Sequence, residues 1–214
     1  MPTPAVARTR LAIHLAIDMD STRKPVEADA SGEGLDVLLR RGRADGTAAL
    51  SLENTMALLQ PVVDVLAVAH ARGMSYRGVS PDRILVVGDA QSDTWTTKLS
   101  PSTSPATASQ GAYCVPEQVS RAFGIAGPWT DVFALALIVV ALLSGRDPTG
   151  GPPDFFEASA RRSSPYLMSG VGIPEAIEAV LVRALAIYPV ERWQTVTSFW
   201  KALRAAMPVE AAAA

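Results

Sequence analysis

Twelve consecutive residues, Val132 to Leu143 (VFALALIVVALL), carry no polar side chain. As a helix rising about 1.5 Å per residue, this run spans roughly 18 Å, well short of the ~30 Å hydrocarbon core of a bilayer. A helix that is apolar on every side has to be surrounded by other elements. The run therefore predicts a mainly helical domain wrapped around one central helix. Thr130 is read as the cap of that helix, which extends from Asp131 to Ser144 and stops at Gly145.

The elements around it are helical, with one hairpin. Leu11 to Asp18 (LAIHLAID) reads as a strand, followed by a charged connector that carries Lys24 and Pro25. A helix begins near Leu35 (LDVLLRR) and stops at Gly42. Ser51 is a good N-cap for the next helix, in which Leu52, Met56, Leu59, Val63 and Leu66 keep helical spacing up to a stop at Gly73. Pro61 inside that pattern predicts a kink, or the loss of a backbone bond to Ala57. Ile84 to Val87 and Thr96 to Leu99 read as short strands joined by the turn GDAQSDT. Pro101 to Gln110 is a small polar loop, and a short helix starts at Pro116. A weaker helix follows over Asp154 to Leu167, then two amphipathic helices over Pro174 to Ile187 and Gln194 to Met207. No internal repeat is visible.

Composition narrows the classes of function. The chain has 214 residues, 49% of them apolar, and can bury a real core as one domain. Its net charge of -2, with no block of like charges, argues against a nucleic-acid or membrane-surface footprint. Cys114 is the only cysteine, so no disulfide framework or thiolate metal cluster is available. His14 and His70 are too few and too far apart to make a metal site. Leu11 to Ile17 is broken by His14 and runs into Asp18 without a small-residue cleavage site, which speaks against a signal peptide. A cytoplasmic protein without cofactor or metal is the expectation.

Four segments stand in an order that carries more than any one of them: AHARGMSYRGVSPDRILV, GAYCVPEQV, WTDVFALALIVVALLSGRDP and ALAIYPVERWQTVTSFWKAL. This series resembles the C-terminal lobe of a bacterial serine/threonine protein kinase over roughly Leu35 to Met207. The first segment is similar to the catalytic loop H-R-D-L-K-P-x-N, and Val115-Pro116-Glu117 stands where the family has A-P-E. The resemblance implies a mainly α (α+β) fold, with a kinase-type helical lobe over residues 35–207 and a small β-hairpin. Residues 1–34 would form a short strand and linker in place of the N-terminal lobe, and residues 208–214 a tail.

The resemblance also implies roles, and several catalytic positions lack the residue the chemistry needs. Aligned on Pro81, the position of the proton-accepting aspartate is Gly78 and that of the magnesium-binding asparagine is Arg83. The loop's histidine and lysine positions are Tyr76 and Ser80, while Arg77 is kept. Where the metal-binding D-F-G would follow the hairpin the chain has Ser100, Pro101 and Ser102, so Pro101 marks a third degenerate position. No G-x-G-x-x-G precedes Leu35, and Lys24 lies in a linker rather than on a strand. By contrast, residues that hold such a lobe together are present. Glu117 would pair with Arg192, and Asp131 would anchor the backbone of the catalytic loop.

These features point to a catalytically inactive pseudokinase acting as a protein–protein scaffold or regulator. The alternative is an atypical nucleotide-binding protein or phosphotransferase that uses the displaced acids Asp82, Asp89 or Asp93. A third possibility is a phosphoprotein adaptor whose hydroxyl-rich stretch Ser102 to Ser109 is modified. Without an N-terminal lobe, apolar side chains of LAIHLAI and Ile84 to Val87 would face water, so a partner or a second copy is expected to cover them. Of the four tryptophans, Trp129 and Trp193 adjoin the matched segments and are assigned to the core. Tyr76 is expected to pack, Arg77 to brace the loop, and Cys114 to be a small buried residue.

Overall fold

The structure, a computed structural model, describes residues 32–44, 46, 49–89, 94–100, 113–148 and 173–207. At its centre is the apolar run. Among the described residues, three strands and two helices come first, in the order β1 (Glu33–Gly34), α1 (Leu35–Ala44), α2 (Leu52–Ala71), β2 (Ile84–Asp89) and β3 (Thr94–Leu99). The short α3 (Pro116–Val119) leads into the central α4 (Pro128–Ser144), and α5 (Glu175–Ala184) and α6 (Val196–Ala205) follow.

Every residue from Thr130 to Leu143 is buried. The helix begins three residues before the expected Asp131, because Pro128 at its first turn has a fixed φ and lacks only an N–H that would have no helical partner there. Thr130 is thus not the cap. It sits in the first turn, where its Oγ1 accepts from Gly127 N at 3.0 Å. Gly145, at φ 66°, closes the helix in the left-handed conformation that glycine adopts without steric penalty.

Helix α2 packs against α4, α6 and β3, with Leu59, Val62 and Leu66 fully buried. Ser51 caps it, its Oγ accepting from Asn54 N at 3.1 Å. It continues as one helix through Pro61, which is itself buried. The missing N–H of Pro61 leaves the Ala57 carbonyl without its helical donor. By length and composition α2 is apolar enough to cross a bilayer, yet here its apolar stripe faces the protein's own core.

Helix α1 does not stop at Gly42 but runs on to Ala44. Glycine inside a helix costs about 1 kcal/mol relative to alanine. That loss is offset by the last turn's cations, including Arg43, whose Nη1 lies 2.6 Å from Asp147 Oδ1. Helices α5 and α6 are shorter than the expected Pro174–Ile187 and Gln194–Met207. The first ends at a turn led by Leu185. The second is held back to Val196 by its cap, Thr195, whose Oγ1 accepts from Ser198 N at 3.2 Å.

The strands form one antiparallel sheet in the order β1-β2-β3, with Ile84 opposite Leu99 and Val86 opposite Thr97. Both hairpin strands are two residues longer than expected, taking in Gly88, Asp89, Thr94 and Trp95. Alternation along β2 turns Ile84 and Val86 inward, where they are 0% and 5% exposed. The expectation that these side chains face water is thereby corrected at both positions, because the hairpin packs on α2 and Thr97 Oγ1 donates to the Leu58 carbonyl at 2.7 Å. The strand expected at LAIHLAID, Lys24, the turn acid Asp93, Pro101 with the loop to Gln110, and the helix over Asp154 to Leu167 lie outside the described residues.

Candidate functional site

The loop from Met74 to Ser80 joins α2 to a 3-10 turn at Pro81–Arg83, which feeds directly into β2. One carboxylate organises it. Asp131, in the first turn of α4 and buried, accepts from Arg77 N through Oδ1 at 2.7 Å and from Tyr76 N through Oδ2 at 2.7 Å. His70 Nε2 lies 3.0 Å from the same Oδ2, and His70 Nδ1 is 3.1 Å from Val196 N. Since a backbone N–H can only donate, Nδ1 is the acceptor and the ring proton sits on Nε2, pointing at Asp131. A single histidine thus ties together α2, α4, the loop and the start of α6.

Arg77 pays for this clamp in backbone strain, with φ at 58°, where non-glycine residues seldom sit. The two Asp131 bonds, together with Gln118 Nε2 donating to the Arg77 carbonyl at 2.6 Å, over-determine that conformation. The Arg77 side chain is exposed and donates from Nε to Ser75 Oγ at 2.9 Å.

Beyond Arg77 the chain presents Gly78, then the buried Val79, Ser80 and Pro81. Arg83 ends the turn. Its N–H donates to the Ser80 carbonyl at 3.0 Å, and its own carbonyl accepts from Ser100 N at 2.8 Å. The Tyr76 hydroxyl donates to the Ser100 carbonyl. Burial pushes the Tyr76 phenol above its ordinary pKa, and the Arg83 guanidinium beside it pulls the other way. Tyr76, Arg83 and Ser100 therefore meet at the base of the hairpin, where a cation and a phenol face each other. Asp82 is exposed on the turn. Among the described residues no group of three or more His, Cys, Asp or Glu side chains is arranged to hold a metal.

A second polar centre lies beneath α3. Glu117 and Arg192 have fully buried side chains and form a bidentate pair, Nη1 to Oε1 and Nη2 to Oε2, both at 2.8 Å. The remaining guanidinium donors are used as well, to the carbonyls of Ala186 (2.6 Å), Ile187 (2.9 Å) and Trp129 (3.4 Å). Thr130 donates to Glu117 Oε1 at 2.7 Å. The Arg192 guanidinium also lies over the Phe133 ring, 4.5 Å from its centroid. Burial lowers the Arg192 pKa, and the bonds to Glu117 oppose that shift.

The sequence-derived candidates thus fall into two groups. Asp131 with Arg77, and Glu117 with Arg192, are brought into direct contact. Gly78 and Arg83 lie on the loop and its following turn, Pro101 lies outside the described residues, and Asp89 is placed only by its backbone at the end of β2. His70 was missed by sequence reasoning. The available signal was its position on the α2 stripe, four residues beyond Leu66. Trp200 is buried, and Trp193, half-buried, packs against the core as expected, whereas the half-buried Trp129 is not part of that packing, so its assignment to the core is corrected. The indole N–H groups of Trp129 and Trp193 reach the carbonyls of Ile125 (2.8 Å) and Val180 (3.1 Å), which keeps one edge near the surface. Cys114 is buried, and burial raises its thiol pKa, away from nucleophile behaviour.

No protein-family model matches the chain. It is 32% identical over 167 residues to the serine/threonine-protein kinase Pkn1 of Myxococcus xanthus, across 71% of this chain and 24% of that protein. It is 28% identical over 148 residues to the serine/threonine-protein kinase PknL of Mycobacterium tuberculosis, across 64% of this chain and 37% of that protein. Among solved structures it is similar to the kinase domain of Mycobacterium tuberculosis PknI, with a TM-score of 0.57 and 24% identity over 82% of this chain and 63% of that one. The chain therefore spans less than two-fifths of these curated relatives. The structural likeness establishes a kinase-domain fold for the part that it covers.

Proposed function

Since the chain belongs to the protein kinase-like superfamily, we propose that it is a catalytically inactive member, a pseudokinase, serving as a scaffold or regulator through protein–protein contacts. One observation carries the reading. Asp131 holds the backbone of Tyr76 and Arg77, and the next residue along that clamped loop is Gly78, which has no side chain to accept a proton. A general base is typically worth about 10²–10⁴ in rate. At the turn that follows, Arg83 sets a fixed cation where the resemblance calls for a magnesium ligand, and like charge disfavours a metal there. Glu117, Arg192, Asp131 and Arg77 are then residues that hold the lobe over 35–207 in shape, independent of phosphate transfer.

The proposed setting is cytoplasmic, and the proposed partner is another protein or a second copy of the chain. Because Ile84 and Val86 are covered by the chain itself, a contact surface has to be sought away from those two side chains. The decisive test is thermal denaturation with and without Mg-ATP. No nucleotide-dependent rise in Tm is expected, and a clear rise abolished by EDTA overturns the reading. Affinity capture from the source cell, with the mass of the complex measured in solution, tests the scaffold role.

A further inference from the structure

Large exposed apolar side chains are normal when scattered singly. Here they are gathered. Of the five among the described residues, Val119 (48% exposed) ends α3, and Ile125 (82%), Tyr188 (49%) and Val190 (86%) lie on two loops. One loop runs from α3 through the 3-10 turn Arg121–Phe123, and the other contains the 3-10 turn Pro189–Glu191. The loops touch at Gly124, where a Cβ would stand 3.2 Å from Pro189 Cγ. Gly124 has φ 127°, a conformation suited to glycine, so this close approach is built into the chain. Ile125 and Val190 are the immediate neighbours of the two touching residues. The buried Glu117–Arg192 pair lies at the base of both loops, since α3 carries Glu117 and Arg192 directly follows the second turn.

The charges at the margin suggest what closes this patch. Arg121 stands on the first loop and Glu191 on the second, both exposed, and neither has a side-chain hydrogen bond or ion pair among the described residues. An unpaired cation and an unpaired anion flanking apolar side chains let a second copy, related by a two-fold rotation, set unlike charges opposite one another. We propose that this surface binds a second copy of the chain in an isologous contact, with Ile125 and Val190 at its centre and Arg121 of each copy opposite Glu191 of the other. The contact deepens the scaffold reading by naming the partner. It rests on that reading for its use, not for its existence, because nothing in it depends on the chain being inactive.

The test is sedimentation of the full chain across about a hundredfold range of concentration. A concentration-dependent monomer–dimer equilibrium is expected. Ile125→Glu should weaken it at least about tenfold, since removing one buried aliphatic anchor and inserting a charge is worth more than that factor. Ile125 is exposed in the single chain, so an unchanged melting curve for the dilute variant will show that folding is intact. The sharper arm is charge exchange. Arg121→Glu alone and Glu191→Arg alone should each weaken the dimer, and the two together should restore it. A chain that stays monomeric throughout, or a dimer indifferent to all of these substitutions, overturns the proposal. Either result leaves the inactive reading standing, because that reading is decided separately by the Mg-ATP thermal shift. A dimer that forms as described while Mg-ATP gives an EDTA-sensitive stabilisation supports the contact and overturns the inactive reading.

Discussion

Arg192 and Glu117 are joined by two parallel 2.8 Å hydrogen bonds between side chains that are both fully out of contact with solvent. All the guanidinium donors are matched, to Glu117 or to the carbonyls of Ala186, Ile187 and Trp129. A buried pair of this kind adds little net stability over an apolar replacement, but breaking it strands a charge in the interior. Glu117→Ala should destabilise the domain by about 3–5 kcal/mol in urea denaturation. Replacing both partners together, as in Glu117→Leu with Arg192→Met, should cost much less than the sum of the single substitutions.

The Asp131 clamp gives a graded prediction. Asp131→Ala removes the acceptor for Tyr76 N, Arg77 N and His70 Nε2 at once; the buried His70 donor is worth about 1–3 kcal/mol, and the two part-buried backbone donors less each. His70→Leu leaves Val196 N without its acceptor and should cost about 1–3 kcal/mol. Because both residues belong to one network, the double variant should lose less than the sum, which a double-mutant cycle would measure.

Alkaline stability is set in part by two tyrosines. Burial is the main cause that raises both Tyr76 and Tyr113 above the ordinary value of 10.0, and for Tyr113 the Asp147 carboxylate adds to it. A tyrosine with a raised folded-state pKa favours folding fully below pH 10.0, and that contribution fades as pH climbs from there through the folded-state value. Stability should therefore fall as pH rises past 10.0, and Tyr113→Phe should flatten that fall while leaving the neutral region less affected. Chemical denaturation at a series of pH values above neutrality would check this.

Gly124 joins two loops in a conformation that side chains resist. Gly124→Ala adds a Cβ at φ 127° and 3.2 Å from Pro189 Cγ. A loss of about 1–3 kcal/mol is expected from the backbone strain. By contrast, Gly73→Ala, also at positive φ but with open space around its Cβ, should lose only the conformational part. Comparing the two by thermal denaturation separates strain from crowding.

Much of the fold was legible because the signals are local. An uninterrupted apolar run forces a buried helix, and the 3.6-residue stripe of α2 places Leu59 and Leu66 inward whatever they meet there. Ends were less legible. A proline at the first turn moved the start of α4 to Pro128, and the cations of the last turn carried α1 past Gly42. The candidate site divided in the same way. Gly78 and Arg83 could be named from the order of residues around Pro81, since that is a statement about sequence alone. The mutual contacts of Glu117 and Arg192 came only through resemblance, because no periodicity links residues 75 apart.

His70 marks the limit of that kind of inference. Its place on the α2 stripe says that it faces inward, but not that its two ring nitrogens meet Asp131 and Val196, 61 and 126 residues further along the chain. The residues alone determined which elements form, which faces are buried, and that Gly78 and Arg83 stand on the loop and the turn after it. Tertiary structure decided how that loop is clamped, that the apolar face of β2 is covered by the chain itself, and that Ile125 and Val190 are left together at the surface. The reason is physical. Burial of a stripe is dictated by spacing within one element, whereas a hydrogen bond or a shared patch depends on how separate elements are set against one another by the whole core.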